Sequence, residues 1–90
     1  MKEFKHHYTI YPDNNPVKFK AVRQALKSGG FGDGTFCADV DGSTMQYYET
    51  DKGDIRLLDD YDVCAVYVDS DVELNETLKS LIWHFEKKGA

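Results

Sequence analysis

The sequence predicts one α+β domain over residues 1–90, in which a largely antiparallel sheet of four or five strands carries two helices on one face. Two patterns lead to this fold class. Several short segments alternate apolar and polar residues, as half-buried strands do, and two longer segments repeat apolar residues at helical spacing. The apolar fraction of 41% is enough for one hydrophobic core in a chain of 90 residues. The expected order of elements is β-α-β-β-(β)-β-α.

The first quarter of the chain predicts a strand followed by a helix. Residues 4–11 alternate apolar and polar side chains with a period of two, which is typical of a strand. Residues 13–15 offer side-chain oxygens for a helix N-cap, and Pro16 suits the first helical position. Two consecutive glycines at 29 and 30 supply a helix exit. A helix over residues 16–28 follows from these signals.

A hairpin is predicted after the glycine-rich connector, with Asp41-Gly42 as a two-residue turn. This turn fixes the register of the two strands and separates their side chains into an apolar and a polar face. The apolar face pairs Val40 with Ser43, Ala38 with Met45 and Phe36 with Tyr47. The polar face pairs Asp39 with Thr44, Cys37 with Gln46 and Thr35 with Tyr48.

The second half predicts two further strands and a helix. A reversal at residues 50–54 leads to a short strand over residues 55–58. Residues 63–68 are almost continuously apolar and β-branched, which predicts a central strand with little exposure. Residues 70–73 match a capping box, and apolar residues at helical spacing then predict a helix to about Lys88. The general layout resembles that of ferredoxin-like sandwiches.

The charges are unevenly distributed along the chain. Residues 33–76 contain thirteen carboxylates and two basic residues, a net charge of −11, whereas the first 32 residues carry +4 and the whole chain −5. A surface dominated by one sign of charge attracts partners of the opposite sign. We therefore expect a basic protein partner rather than direct binding to nucleic acid or to an anionic membrane. With no apolar run long enough to span a bilayer and no apolar N-terminal stretch, we expect a cytoplasmic protein.

Most of the acidic residues fall at or near the predicted turns, among tyrosines that are favoured in protein interfaces. The predicted partner-binding residues are Asp39, Asp41, Tyr48, Glu49, Asp51, Asp54, Asp59, Asp60, Tyr61 and Asp62. The composition resembles that of phage-encoded nucleic-acid mimics such as anti-restriction and anti-CRISPR proteins, and of acidic immunity proteins. This resemblance implies a small inhibitor or antitoxin-like protein that blocks a basic nucleic-acid-binding protein or nuclease.

The alternative function is that of an enzyme. Asp69 and Asp71 follow a predicted buried strand and, with a histidine, could serve a homodimeric metal-dependent nuclease or phosphotransferase. Ser70 is already explained as a helix cap, and the adjacent His6 and His7 would point to opposite faces of a strand. We therefore expect a non-enzymatic protein without a metal or cofactor.

Two further expectations concern calcium and the cysteines. If Gly42 is set at position six of an EF-hand loop, Cys37 falls at position one and Tyr48 at position twelve, where carboxylates are required. The sequence therefore does not predict a calcium-binding loop. Cys37 is expected on the polar hairpin face and Cys64 within the apolar strand, both as reduced thiols. A third possible function is that of an accessory protein that forms a homodimer through an exposed strand edge.

Overall fold

The computed structural model describes residues 3–82, and these residues form a five-stranded antiparallel sheet with two helices, which confirms the α+β class. The strand order in the sheet is β1-β5-β4-β3-β2. The elements are β1 (His6–Tyr11), α1 (Pro16–Ser28), β2 (Thr35–Ala38), β3 (Thr44–Thr50), β4 (Gly53–Asp60), β5 (Ala65–Ser70) and α2 (Asn75–Leu78).

The sheet is a meander to which the first strand is added. Strands β2 to β5 follow one another as antiparallel neighbours, and β1 pairs with β5 at the far edge. Helix α1 therefore connects one edge strand, β1, with the opposite edge strand, β2. Because the chain makes this single crossover and then turns back on itself strand by strand, the structure does not confirm the ferredoxin-like layout.

Helix α1 begins and ends where the local sequence predicts. Asn15 has an extended backbone, with φ −161°, and its side-chain oxygen accepts a hydrogen bond from the backbone amide of Lys18 at 3.1 Å. Such a bond satisfies one of the amides that a helix start leaves without a partner. Pro16 occupies the first turn, and the apolar face buries Phe19, Val22 and Leu26.

The core lies between α1, α2 and one face of the sheet. It comprises Tyr8, Ile10, Phe19, Val22, Leu26, Tyr48, Ile55, Leu57, Val66, Val68, Leu74 and Leu78. Strand β4 is the middle strand and runs over eight residues, beyond the short strand predicted at 55–58. The predicted central strand at 63–68 is wrong at its start, because β5 begins at Ala65. Val63 is 60% exposed, and Cys64 has a left-handed backbone with φ 56°.

The predicted hairpin register is wrong by one residue. Cys37 pairs with Met45 and Phe36 with Gln46, instead of Cys37 with Gln46. The backbone amide of Asp39 donates to the Ser43 carbonyl at 2.8 Å, so the loop has three residues, 40–42. Because neighbouring strand residues face opposite ways, this slip places different side chains on each face of the sheet than the two-residue turn predicts.

The predicted capping box is also wrong. Ser70 is the last residue of β5, and its hydroxyl accepts from the Val72 amide at 2.8 Å and donates to the Val72 carbonyl at 2.7 Å. Helix α2 covers only Asn75–Leu78, and no side chain caps its start. Its last turn closes through the amides of Leu81 and Ile82, which both donate to the Leu78 carbonyl. The predicted continuation over residues 83–88 lies outside the described residues.

Candidate functional site

The acidic residues are divided between the two ends of the sheet. Successive turns of a meander alternate between ends, so the β2–β3 and β4–β5 turns share one end and the β3–β4 turn lies at the other. The five residue-to-residue steps from Asp54 to Asp59 along β4 correspond to about 17 Å at the usual rise of a strand. Residues 33–76, which carry a net charge of −11, therefore do not form one continuous acidic surface. We call residues 39–43 and 60–64 together the paired-turn end.

The two turns of the paired-turn end are joined to each other. The backbone amide of Tyr61 donates to the Ser43 hydroxyl at 2.8 Å. The Tyr61 ring lies over Gly42, where an added Cβ would come within 3.5 Å of the ring. Gly42 has φ +96°, a conformation that residues with a side chain rarely adopt. The two turns thus form one continuous surface rather than two separate loops.

Carboxylates define the shape of both turns. Asp39 accepts from the Val40 amide at 2.7 Å, and Asp41 accepts from the Ser43 amide at 2.9 Å. Asp60 accepts from the amides of Asp62 and Val63, at 2.8 and 3.3 Å. Such bonds between an Asp side chain and nearby amides stabilise tight turns. They hold the exposed carboxylates of Asp39 and Asp41 in place, and they position Asp62 through its backbone amide.

Three apolar side chains project from the same two turns. Val40 is 102% exposed, Val63 60% and Tyr61 47%. Single exposed apolar residues are ordinary, but several on one surface with a polar rim are typical of a protein-binding site. The sequence reasoning included Tyr61 and missed both valines, because β-branched residues beside a turn also suit the end of a strand. The Asp residues next to these valines in the sequence are the signal that could have placed them in turns.

The structure separates the predicted partner-binding residues into three groups. Asp39, Asp41, Glu49, Asp51, Tyr61 and Asp62 are exposed, Asp54 and Asp60 are partly buried, and Tyr48 and Asp59 are buried. Of the exposed residues, Glu49 and Asp51 lie at the end of the sheet opposite the paired-turn end. The placement of Tyr48 and Asp59 on a binding surface is therefore wrong.

Asp59 is buried because it belongs to the helix-facing side of β4 and not to a turn. Its carboxylate accepts a hydrogen bond from the Asn14 side-chain amide at 2.8 Å. The same Asn14 nitrogen donates to the Asp60 carbonyl at 3.0 Å. Asp59 is only 4% exposed, so this pair fastens the start of α1 to the middle strand. Its role is structural.

Tyr48 is buried because the face of β3 that carries Gln46 and Tyr48, and not the face that carries Met45 and Tyr47, packs towards the helices. It lies on the helix-facing side of β3, together with Gln46, and is 1% exposed. Burial raises the pKa of the Tyr48 hydroxyl above its usual value; the Arg23 charge opposes this rise and the Asp33 charge adds to it. Tyr48 cannot serve as an exposed interface anchor.

The carboxylates of the alternative enzyme hypothesis have structural partners. Asp69 accepts from Arg56 at 2.7 Å and is 2.7 Å from the His7 ring nitrogen Nδ1. Asp71 accepts from the Asp54 amide at 3.1 Å. Within residues 3–82, no group of three His, Cys, Asp or Glu side chains could hold a metal ion. His84, another histidine of this hypothesis, lies outside the described residues.

Tyr67 and Asp60 form a hydrogen-bonded pair on the other face of the sheet. The Tyr67 hydroxyl donates to the second carboxylate oxygen of Asp60 at 2.9 Å. Burial and this bond raise the pKa of Tyr67 to about 12. Since both oxygens of Asp60 accept hydrogen bonds, Asp60 shapes the β4–β5 turn rather than offering a free carboxylate.

The cysteines and the sheet edge bear on the remaining expectations. Cys37 and Cys64 are both exposed free thiols, so Cys64 does not lie within a buried strand. Strand β2 is exposed at all four residues and pairs with β3, while no other strand of residues 3–82 pairs with it. Homodimerisation through this edge stays a prediction. No helix in the described part of the chain has the length and apolar character to cross a membrane.

Comparison with known proteins gives no match: no family model, no curated protein and no solved structure is similar to this chain.

Proposed function

We propose that this protein is a small acidic binding protein whose paired-turn end docks on a basic protein surface. The observation that carries the proposal is the combination, on two joined turns, of three exposed apolar side chains with three exposed carboxylates. The apolar set is Val40, Tyr61 and Val63, and the acidic set is Asp39, Asp41 and Asp62.

The apolar side chains supply the contact area of such an interface. Tyrosine is favoured at binding hot spots because a rigid ring contributes a large contact area at little entropic cost. The Tyr61 backbone amide donates a hydrogen bond to the Ser43 hydroxyl, and the Tyr61 ring lies over Gly42. Tyr61 is therefore ordered before binding. Preorganised anchors bind more tightly than mobile ones, because less conformational entropy is lost.

The carboxylates determine which kind of partner is favoured. Acidic groups around an apolar centre favour partners with complementary positive charge and speed their association. Nucleic-acid-binding grooves are basic surfaces of this kind, since they neutralise phosphates with Lys and Arg. Docking on such a groove would exclude nucleic acid and make the protein an inhibitor. Only the acids of the paired-turn end take part, because Glu49 and Asp51 lie at the opposite end of the sheet.

The charge requirement is tested with two matched triple variants. The test variant carries Asp39→Asn, Asp41→Asn and Asp62→Asn, which remove three charges and keep the oxygens that bond the turn amides. The control variant removes the same number of charges from exposed residues elsewhere, by Glu49→Gln, Asp51→Asn and Glu76→Gln. The wild-type protein is immobilised, partners are captured from extract of the native host at low salt, and each captured protein is purified.

Binding of the purified partner is then measured against all three proteins. Exposed ion pairs contribute about 0.2–1 kcal/mol each, so the test variant should bind about 3- to 150-fold more weakly, while the control variant stays near the wild-type value. High salt or added duplex DNA should release the partner. Equal affinity for the test and control variants, or capture that is insensitive to salt, would contradict the proposal.

The apolar requirement is tested by Val40→Ser and Val63→Ser. Both side chains are exposed, so these changes should leave the free energy of unfolding nearly unchanged. Each should weaken partner binding several-fold if the valine is buried in the complex, because about 25 cal/mol is lost for each Å² of apolar surface no longer buried. Unchanged affinity in both variants would remove the valines from the interface.

A further inference from the structure

A basic pocket lies between α1 and the connector that precedes β2, and its Lys20 and Arg23 also line a neighbouring groove that reaches Gly42 and Tyr61. It has a volume of about 200 Å³ and is lined by Lys20, Arg23, Gln24, Lys27, Asp33 and Tyr48. Three cations and one carboxylate give this lining a formal charge of +2, in a chain whose net charge is −5. The pocket lining is therefore positively charged, whereas the protein as a whole has a negative net charge.

Helical spacing brings the basic residues together. Lys20, Arg23 and Lys27 are separated by three and four positions, so they lie along one side of α1. Lys27 contacts the Asp33 carboxylate at 3.2 Å, and both side chains are largely exposed. Within residues 3–82, neither Lys20 nor Arg23 has a carboxylate in contact. Two positive charges of the pocket are therefore not neutralised by the described part of the protein.

The second observation is an unpartnered polar group at this pocket. The Tyr48 side chain is 1% exposed, and its hydroxyl has no hydrogen-bond partner among the described residues. A buried hydroxyl normally has a partner, because its hydrogen-bonding capacity is otherwise lost on folding. The Tyr48 ring is held by Gly34, where an added Cβ would lie 3.0 Å from ring carbons and 2.7 Å from the Tyr47 carbonyl oxygen. The hydroxyl is therefore fixed in position.

We propose that this pocket binds a phosphate group, with Arg23 and the two lysines contacting its oxygens and Tyr48 donating a hydrogen bond from the floor. Arg and Lys are the side chains that proteins use for phosphate, and Arg can bind two of its oxygens at once. A phosphate monoester carries about −1.5 to −2 charges at neutral pH, which matches the +2 of the lining. The pocket is smaller than the ~300–1,000 Å³ typical of drug-sized ligands, so the ligand is a phosphate ion or a small organic phosphate.

Binding requires the long side chains over the pocket to shift. The Tyr48 hydroxyl is covered, whereas Lys20, Arg23 and Gln24 are exposed residues on the helix surface. Rotamer changes of exposed side chains are fast and need no rearrangement of the backbone. The ligand would replace the missing hydrogen-bond partner of Tyr48 and thereby stabilise the folded state.

The test is a titration with inorganic phosphate, compared with chloride at equal ionic strength. Binding is followed by backbone amide shifts in NMR spectra and by the melting temperature, which a ligand of the folded state raises. Phosphate should shift the amides of Arg23, Lys27 and Asp33 in a saturable manner, and chloride should not. A parallel titration with phenyl phosphate separates the two ligand sources: tighter binding of the ester indicates an organic phosphate, and tighter binding of the ion indicates free phosphate.

Arg23→Gln and Lys18→Gln form a matched pair of variants. Both remove one positive charge from α1, but Lys18 does not line the pocket. Arg23→Gln should weaken phosphate binding about ten-fold or more, because it removes a charged hydrogen-bonding group, and Lys18→Gln should change it by less than about three-fold. Equal losses in the two variants would mean general charge screening and would overturn the proposal.

Tyr48→Phe distinguishes a ligand-binding role from a structural one. It removes the unpartnered hydroxyl, so the phosphate-free variant should melt at the same temperature as the wild type or higher. Its affinity for phosphate should nevertheless fall several-fold. A lower melting temperature without phosphate would show that the hydroxyl already has a stabilising partner, and unchanged affinity would show that it does not contact the ligand; either result overturns this assignment.

Discussion

Replacing Asn14 by Ala should lower the free energy of unfolding by about 2–4 kcal/mol, although Asn14 lies in a connector outside any helix or strand. The Asn14 side chain donates to the Asp59 carboxylate at 2.8 Å and to the Asp60 carbonyl at 3.0 Å. A bond to a charged group contributes about 1.5–3 kcal/mol and a neutral one about 0.5–1.5 kcal/mol. The loss is large because Asp59 is only 4% exposed, so water cannot readily replace the missing donor.

Urea unfolding at neutral pH, followed by circular dichroism, measures this change. Asn15→Ala is the control, since it removes only the helix N-cap and should have an effect of about 1 kcal/mol. The Asn14→Ala change is then repeated in an Asp59→Asn background, where its effect should shrink because the buried charge is gone. If Asn14→Ala has a smaller effect than Asn15→Ala, or the same effect in both backgrounds, the structural role assigned to Asp59 is refuted.

Three further predictions concern backbone strain and pH. Gly53→Ala should destabilise the fold by about 2 kcal/mol or more in urea unfolding, because φ is +140° and the new Cβ would lie 2.5 Å from the Asp71 Cβ. The control is Gly32→Ala, which should have a smaller effect because φ is +87° but the space around the new Cβ is open. Cys64→Gly should raise the melting temperature and Cys64→Val should lower it, since φ is 56°. Raising the pH from 10 towards 12 should lower the melting temperature. The reason is that the unfolded chain releases the Tyr67 proton near pH 10, whereas the pKa of about 12 keeps this proton on the folded protein. Tyr67→Phe should make the decline smaller.

The parts of the fold that local chemistry determines could be predicted from the sequence. Helix α1 is set by Asn15 as cap, Pro16 in the first turn and two glycines at its exit, and its observed bounds are those predicted. Alternation alone predicts the strand at residues 4–11, and β1 begins at His6. Each of these signals lies within a few residues of its effect, so tertiary contacts need only agree with it.

The C-terminal helix shows where such signals fail. A hydroxyl followed three residues later by Glu matches a capping box, yet Ser70 is the last residue of β5 and bonds to Val72. The pairing of Ser70 with Ile55 on β4 and with His6 on β1 extends the strand past the predicted helix start. A partner strand distant in the sequence thus competes with the local cap, and no local pattern reveals that partner.

The candidate site and the error in the hairpin register have the same physical origin. A two-residue turn at Asp41-Gly42 would have placed Val40 opposite Ser43 within the ladder, whereas the three-residue loop leaves Val40 in the turn and exposed. Tyr48 shares a face of β3 with Gln46 in either register, because side chains alternate along a strand, and that face packs on α1. The slip instead changes which residues of β2 lie on that face, since Phe36 pairs with Gln46. The exposed valine at the paired-turn end therefore follows from the length of the loop, which the Asp41-Gly42 signal predicts one residue too short.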